Sequence, residues 1–455
     1  MSGLHTCTGG ANVILHAFDW KYADIAERAQ QIHQLGYGSV LVSPAMTSAQ
    51  NHEWWQRYQP QDYRVIDNAL GNTTDFKRMV QALAHYDIWV YADVVFNHMA
   101  NESGIRSDLN YPSQTIMAQY QSQPEHYQAL TLFGDLSQPL FTEHDFVEAF
   151  GIEDWKDKWQ VQNGRITGGA SDPGLPTLKV NEHVIEQQRQ YLKALKQIGV
   201  KGFRIDAAKH MTQEHIAQVW SDDIVDDIHI FGEIITDGGA TEQEYEIFLQ
   251  PYLEHTQLGA YDFPLFSTMY QAFTRRGSFK SLINPYCFGQ ALSNKRAITF
   301  AITHDIPNNE VFQSLIMREE DEWLAYAYIL GRDGGVPLIY TDLDTSGIRS
   351  KEGSPRWQNA WKDPRMAKMI EFHNRTHGEP MQILKASSDI LVIKRGNKGV
   401  LAINKSTRSH TIKLNLSASY CDLIQGNMIC IDNKLKMGAK SASMLLAQTG
   451  SSPHK

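Results

Sequence analysis

The sequence predicts an α/β protein built on a (β/α)8 TIM barrel, with a long insertion after the third strand and a C-terminal antiparallel β domain. Eight short apolar runs alternate with segments of helical period, one connection is about 80 residues long, and the pattern changes near the C-terminus. Parallel strands with crossover helices produce such alternation, and eight units favour a closed barrel over an open sheet.

The strand candidates are rich in β-branched and aromatic residues. In chain order they are Asn12–Asp19, Ser39–Ser43, Ile88–Val95, Gly202–Ala207, Ile228–Ile234, Gly259–Phe263, Ala297–Thr303 and Val336–Thr341. Between them lie helix candidates such as Ala23–Leu35, Thr74–His85, Val184–Ile198 and Glu322–Leu330. We therefore expect the barrel to occupy residues 1–98 and 181–376.

The long connection after the third strand candidate contains many Gly, Pro, Gln and Asp residues. Loops of this length are usually functional or fold by themselves, so residues 99–180 are predicted to form an insertion domain, domain B. After about Thr376 the chain shows short alternating runs, as in Asp389–Lys394, Gly399–Asn404 and His410–Leu416. This pattern is typical of antiparallel sheets and predicts a β-sandwich, domain C, over residues 377–455.

Charge and hydropathy narrow the classes of partner. The net charge of −9 at pH 7 argues against a nucleic-acid ligand, since proteins that bind phosphate-rich partners usually carry basic patches. No apolar run approaches the roughly 18 residues that span a bilayer, so no membrane association is expected. We also expect the protein to be a monomer. Residues 1–10 lack the features of an export signal. The compartment stays open: cytoplasmic if Met1 is the native start, extracellular or periplasmic if a signal peptide was removed.

Polar residues lie at or just after the ends of four of the strand candidates. They are Asp93, Asn97 and His98; Arg204, Asp206, Lys209 and His210; Glu233; and His304 with Asp305. The carboxyl ends of barrel strands meet at one mouth, where chemistry collects. One carboxylate at a strand end often only caps the next helix. Three of them on separate strands, accompanied by histidines and an arginine, predict an active site.

Such a cluster suits hydrolysis of a glycosidic bond with retention of configuration. That reaction needs a carboxylate nucleophile and a carboxylic acid about 5–5.5 Å apart across the scissile bond. Arg204 lies two residues before Asp206 and therefore on the same strand face, where its charge would keep the nucleophile ionised and oriented.

The motifs DVVFNH, GFRIDAAKH, GEI and THD occur in this order and resemble the conserved blocks of the α-amylase family, glycoside hydrolase family 13. The resemblance implies that Asp206 is the nucleophile, Glu233 the general acid/base and Asp305 the third carboxylate, which holds and distorts the sugar. It also implies sugar contacts at the cleavage site by His98, Arg204 and His304, and contacts on the leaving-group side by Lys209 and His210.

Residues 52–60 read HEWWQRYQP and resemble the WWxRYQP stretch of animal-like α-amylases. The resemblance implies that Trp55, Tyr58 and Gln59 line the sugar sites on the glycone side, and we group Trp54 with them. The plainer alternative is that the two indoles pack against the barrel rim. The stretch at Cys421 is also similar to a part of the family where a disulfide occurs, so Cys421 and Cys430 are either bonded or two buried thiols.

Many members of this family hold a structural calcium between the long third loop and the barrel. The resemblance implies Asn97, the carbonyl of His210 and an Asp as ligands, but this chain has Thr177 in place of the Asp. A hydroxyl is a poorer ligand for a hard cation, so calcium binding is predicted to be weak unless another residue, such as Asp172, supplies the charge. Chloride-activated members carry an Asn where this chain has Thr303, so no chloride dependence is expected.

The favoured function is endo-acting, retaining hydrolysis of α-1,4-glucosidic bonds in starch, glycogen and malto-oligosaccharides. A 4-α-glucanotransferase or a malto-oligosaccharide-forming amylase would use the same site, and the motifs do not separate them. A catalytically silent carbohydrate-binding barrel is the remaining alternative, which the presence of all three carboxylates disfavours.

Overall fold

The computed structural model describes residues 12–236, 242–284, 291–414, 416, 419–426, 428–429 and 434–448. Its first part holds eight parallel strands and one short hairpin. The strands are β1 (Ile14–Ala17), β2 (Ser39–Val42), β5 (Trp89–Val94), β6 (Gly202–Ile205), β7 (His229–Gly232), β8 (Gly259–Tyr261), β9 (Ala297–Phe300) and β10 (Val336–Thr341), and the hairpin is β3 (Asp67–Asn68) with β4 (Gly71–Asn72). They close into a barrel in the order β1-β10-β9-β8-β7-β6-β5-β2. The predicted TIM barrel is confirmed, and each strand candidate contains one of its strands.

The helices pack around this barrel and within domain B. They are α1 (Tyr22–Gln34), α2 (Thr73–Ala84), α3 (Gln114–Ser122), α4 (Pro124–Leu130), α5 (Lys158–Asn163), α6 (Glu182–Ile198), α7 (Gln213–Val219), α8 (Asp222–Val225), α9 (Glu242–Glu244), α10 (Gln250–His255), α11 (Phe263–Phe273), α12 (Asp305–Asn308), α13 (Glu319–Gly331) and α14 (Pro364–Thr376). A π-helical turn, Tyr245–Leu249, joins α9 to α10, and 3₁₀ turns lie at Trp54–Tyr58, Glu143–Asp145, Ala208–His210, Phe279–Leu282, Glu310–Leu315 and Ala360–Lys362. Within the described residues no helix is long and apolar enough to cross a bilayer.

Local sequence explains where the barrel helices begin and end. Asn72 accepts hydrogen bonds from the backbone of Thr74 and Asp75 at the start of α2, and the Asp75 carboxylate accepts one from the Asn72 backbone in return. This reciprocal cap satisfies amides that have no partner inside the helix. Helix α6 ends at Ile198 and is followed by Gly199, whose φ of 114° suits a residue without a side chain.

The segment between β5 and α6, which is predicted to be domain B, contains α3, α4 and α5. Residues 176–178, here called the domain B strap, join it to the barrel mouth. Met99 N donates to Pro176 O at 3.0 Å and Leu178 N to Asn97 O at 2.9 Å, while Val147 N donates to Thr177 O at 2.9 Å. The strap therefore binds the end of the third barrel strand on one side and the body of domain B on the other.

The described residues of the predicted domain C form two antiparallel sheets. The first has the order β11 (Met381–Ala386), β12 (Ile390–Arg395), β13 (Gly399–Asn404), β18 (Ser441–Ala447), β15 (Tyr420–Asp422) and β16 (Met428–Ile429), and the second pairs β14 (His410–Lys413) with β17 (Lys434–Met437). Apolar side chains of both sheets form one buried cluster. The opposite face of the larger sheet joins the barrel's core, where Leu401 fills the space beside Gly331 of α13. The predicted domain boundaries stay a prediction, and the proposed Cys421–Cys430 bond involves Cys430, which lies outside the described residues.

Two cations of domain C bind the ends of barrel helices. Lys405 Nζ donates to the carbonyls of Ala272, in the last turn of α11, and of Thr274 and Gly277 just after it, at 2.6–2.8 Å. Arg395 binds backbone carbonyls at the ends of α13 and α14, those of Gly331, Arg332, Thr376 and Glu379. The last carbonyls of a helix lack partners within it and carry partial negative charge, so these contacts stabilise all three helix ends.

Candidate active site

One buried guanidinium gathers the carboxylates at the barrel mouth. Arg204 is fully buried in β6, and its Nη1 binds both oxygens of Asp93 at 2.7 and 2.6 Å and Asp206 Oδ1 at 3.0 Å. Its Nη2 binds Glu233 Oε1. Asp93 and Arg204 are register partners in neighbouring parallel strands, so the sheet itself places this pair. Because the guanidinium is a rigid planar fork, Asp206 and Glu233 on its two nitrogens lie side by side.

The turn after Asp206 completes this arrangement. Ala207 has a φ of 48°, a left-handed conformation that non-glycine residues seldom adopt and that tends to occur at functional sites. Its amide donates to Glu233 Oε2 at 3.2 Å. The second oxygen of Glu233 is thereby fixed by the backbone that follows the predicted nucleophile.

Asp305, at the start of α12, is the third predicted carboxyl. Its side chain shares a hydrogen bond with Glu233, and its Oδ2 lies 3.4 Å from Nε2 of His304. Burial raises the pKa of Asp206 and Asp305 well above the usual value, and the charge of Glu233 adds to both shifts. Burial also raises the pKa of Asp93 to about 6, although Arg204 opposes this. The four carboxyl groups carry more negative charge than the one guanidinium balances, so at least one of them is favoured to keep its proton. A general acid must be protonated in this way.

Aromatic rings form one wall of the site. Tyr58 stacks on His304 with ring centroids 5.2 Å apart and planes 9° apart, and the Tyr58 hydroxyl donates to Asp93 Oδ2 at 3.0 Å. Phe18 stacks on His304 at 4.7 Å, and the edge of Trp54 meets Tyr58 and His304. Trp54 is partly buried in this wall, as the rim-packing alternative describes. Trp55 is 41% exposed.

Two more predicted residues lie on the same side. His98 Nε2 donates to the Tyr58 carbonyl at 3.0 Å, and burial lowers the pKa of His98 to about 4, so its ring is neutral. Burial and Arg204 lower the pKa of His304 well below its usual value. Gln59 Oε1 accepts from the Asn101 amide at 2.9 Å, which fixes Gln59 against the first residues of domain B.

Lys209 and His210 lie in the 3₁₀ turn after Asp206. Lys209 N donates to the Glu233 carbonyl at 3.2 Å, and Lys209 Nζ donates to the buried Glu244 at 3.3 Å. His210 Nδ1 donates to the Val161 carbonyl of domain B at 2.9 Å, and burial lowers the His210 pKa to about 3. Both side chains are thus held by defined partners beside Glu233.

The residues at the expected calcium position do not fit a tight site for that ion. Thr177 is buried in the domain B strap, and its hydroxyl donates to the Gly164 carbonyl at 3.0 Å. Asp172 is exposed and accepts from Asn101 and from the Gly174 amide. Among the described residues, no three Asp, Glu, His or Cys side chains are grouped to hold a metal. Calcium favours several oxygen ligands with carboxylate charge, which this donor set lacks.

Sequence reasoning quoted Asp93 but gave it no role, and it did not select Tyr261. Asp93 lies within the apolar run WVYADVV, where a buried charge requires a partner, and this signal could have marked it; the partner in the structure is Arg204. Tyr261, on β8, faces the Arg204 guanidinium at 5.7 Å. It lies inside an apolar run, so the sequence carried no sign of its position at the site.

Comparisons with known proteins show the family. A family model described as the α-amylase catalytic domain matches residues 20–281. The chain is 48% identical to an α-amylase from Aeromonas hydrophila over 395 residues, which cover 87% of this chain and 84% of that protein.

Two solved structures have a similar fold. An α-amylase I from Eisenia fetida aligns with a TM-score of 0.72 at 21% identity, covering 99% of this chain and 98% of that one. A γ-CGTase from the alkalophilic Bacillus clarkii aligns with a TM-score of 0.69 at 16% identity, covering 98% and 72%. At these identities the likeness concerns the fold alone. The catalytic-domain match and the 48% identical relative show that the chain belongs to the α-amylase family and is a glycoside hydrolase of the α-amylase type.

Proposed function

We propose that the protein is an endo-acting, retaining hydrolase of α-1,4-glucosidic bonds in starch, glycogen and malto-oligosaccharides. The observation that carries the proposal is the pair of carboxyl groups, Asp206 and Glu233, held on the two terminal nitrogens of Arg204. A nucleophile and an acid this close leave no room for a water molecule between them and the sugar, which favours double displacement over direct attack by water.

In this mechanism Asp206 attacks the anomeric carbon while Glu233 protonates the leaving oxygen. A covalent glycosyl-enzyme forms, and Glu233, now ionised, takes a proton from the water that cleaves it. The Arg204 charge opposes the effect of burial on the Asp206 pKa and so favours the ionised carboxylate that attacks, and Arg204 remains bound to Asp93 throughout. Asp305 and the neutral ring of His304 hold the sugar at the cleavage point by hydrogen bonds. His98, whose Nε2 is bound to the Tyr58 carbonyl, fixes the loop that carries Tyr58 beside them.

The stereochemistry of the first product tests this mechanism. Proton NMR of maltoheptaose digests at early times should show the α-anomer before mutarotation, because two inversions restore the starting configuration. Asp206→Asn should remove turnover and leave binding of maltoheptaose intact, since the amide keeps the shape of the carboxylate and loses its charge. Early release of the β-anomer would contradict double displacement, and Asp206→Asn turnover above about a hundredth of the wild-type rate would contradict the assignment of the nucleophile.

The same digests separate hydrolysis from transfer. Release of reducing ends should be nearly unchanged when glucose is added as an acceptor. A strong decrease, with growth of longer oligosaccharides, would instead identify a 4-α-glucanotransferase.

A further inference from the structure

His16 is a polar residue inside the barrel that has no part in the proposed mechanism. It lies in β1 beside Tyr340 of β10, its register partner, and it is fully buried. Within the part of the chain that the structure describes, neither of its ring nitrogens has a hydrogen-bond partner. Burial lowers the pKa of His16 to about 3, and the charge of Arg204 acts in the same direction, so the ring is neutral.

This imidazole lowers the stability of the fold. A buried polar group without a partner has lost its hydrogen bonds to water and gained none in return, whereas an apolar side chain of similar size carries no such cost. Buried groups of this kind are rare in native proteins and call for an explanation. A role in function is one explanation, and the surroundings of His16 indicate which role.

His16 adjoins His304, which in the proposed mechanism binds the sugar. Tyr58 and Phe18 both stack on the His304 ring, with centroids 5.2 and 4.7 Å from its own. Two rings on the same face would also contact each other, and Phe18 and Tyr58 form no described ring contact, so they cover opposite faces. Stacking on both faces fixes the plane of the His304 ring but not its position within that plane.

Contacts at the edges of His304 must fix that position. A histidine is usually held by a hydrogen bond at its second ring nitrogen. Nε2 of His304 lies 3.4 Å from Asp305 Oδ2, but Nδ1 is buried and has no partner among the residues that the structure describes. His16 meets the His304 ring at 5.4 Å with planes 87° apart, and since both faces are covered it lies against an edge. It precedes Phe18 on β1 and therefore supports His304 from deeper in the barrel.

We infer that His16 is a positioning residue for the proposed hydrolysis, holding the inner edge of His304 so that Nε2 faces Asp305 and the sugar. This inference rests on the proposed function. His16 touches no substrate and acts through His304 alone. A neutral imidazole carries one donor and one acceptor, so its dipole complements the unpartnered Nδ1 of His304 in a way that an apolar side chain does not.

His16→Leu tests the inference, because leucine has about the volume of histidine and no polar atom. The kcat on maltoheptaose should fall about tenfold or more, since a small displacement of a group that binds the reacting sugar is costly. KM should change little, because the other glucose units bind as before. The Tm should not fall, because two unpartnered nitrogens are removed. His16→Gln, which keeps a donor and an acceptor, should retain more of the wild-type kcat.

A double-mutant cycle with His304→Asn separates positioning from an independent effect. In the His304→Asn background, His16→Leu should cause little further loss of kcat, because the group that His16 positions is already gone. Additive losses would overturn the inference. His16→Phe, with a flat apolar ring, gives the same comparison if His16→Leu does not fold.

His229→Leu is the matched control. His229 is another buried, neutral histidine of the barrel, at the start of β7, and its Nδ1 is hydrogen-bonded to the Tyr91 hydroxyl at 2.8 Å. Its replacement should lower the Tm and leave kcat unchanged, the reverse of the result for His16→Leu.

Two results would overturn the inference and leave the proposed function standing. One is a wild-type kcat in His16→Leu and His16→Phe. The other is a loss of kcat that accompanies a fall in Tm in both variants, since that would identify a packing role. If the wild type does not hydrolyse maltoheptaose, the proposed function itself fails.

Discussion

At the scale of single residues, the site depends on the balance between one cation and several carboxyl groups. Arg204 is fully buried and binds Asp93, Asp206 and Glu233 together. A buried charge that loses its partner is strongly destabilising. Asp93 therefore serves to anchor Arg204 whatever the protonation state of the other two, which leaves those two free to change protonation during turnover.

Glu233→Gln should lower the rate on maltoheptaose about 10²–10⁴-fold, because the amide cannot protonate the leaving oxygen. Aryl maltosides with strongly acidic phenols need no such proton, so formation of the glycosyl-enzyme from them should be largely retained. Stopped-flow release of the phenol measures that step. Equal losses on both substrates would place the acid at another residue.

At the scale of elements, the domain B strap joins the insertion to the barrel through backbone hydrogen bonds and not through a charged cluster. Thr177 donates its hydroxyl to Gly164 inside domain B, and its backbone binds Val147. These contacts are neutral and need no ion. The attachment of domain B is therefore expected to be insensitive to divalent cations.

Excess chelator should leave the wild-type activity intact and change its Tm little. Thr177→Asp should be less stable in chelator, because an unpaired carboxylate is then buried beside a carbonyl, and calcium should raise its Tm. Calcium at a hundred times Kd stabilises a single site by about 2.7 kcal/mol. Differential scanning calorimetry measures both effects, with Thr177→Val as the control that removes the hydroxyl without adding charge. Loss of wild-type activity in chelator, reversed by calcium, would contradict this account.

At the scale of the whole molecule, buried titratable groups with opposite effects determine how stability depends on pH. Burial lowers the pKa of His215 to about 4 and of His373 to about 3, so the unfolded chain binds their protons more readily than the folded chain. Stability from such groups is present above about pH 6.5 and is lost as pH falls. Burial raises the pKa of Asp262 to about 6, so its contribution to stability changes in the opposite direction and is lost as the pH rises from about 4 to 6.

His215→Gln isolates one of these contributions. The histidine donates to Gln188 Oε1 at 2.7 Å, and a glutamine amide also offers a donor there. As the pH is lowered from 7 to 5, the wild type should lose about 2 kcal/mol more stability than the variant, because the variant has no imidazole to protonate on unfolding. The Tm of the variant relative to that of the wild type should therefore be higher at pH 5 than at pH 7. Thermal unfolding between pH 5 and 8 measures the difference. A difference independent of pH would show that His215 is not kept neutral by the fold.

The sequence predicted the barrel well because each strand is a local apolar run, and it predicted the mouth because barrel strands end together. It could not predict that Trp54 is packed in the aromatic wall while Trp55 is exposed, since neighbouring residues of one 3₁₀ turn have the same local pattern. The internal structure of domain B could not be predicted from the sequence either. Its helices are short, and its strap forms through contacts between residues about 80 positions apart in the chain, which no local pattern records.

The contacts of Lys405 and Arg395 with the barrel helices can form only late in synthesis of the chain. Synthesis proceeds from the N-terminus, so the barrel sequence leaves the ribosome while these two side chains are still to be added. Until they arrive, the carbonyls at the ends of α11, α13 and α14 lack their cationic partners, and the apolar residues beside Leu401 have no sheet to cover them. A nascent barrel is therefore incomplete at its helix ends. The described part of domain C, made after the barrel, supplies these cationic partners and covers this apolar surface.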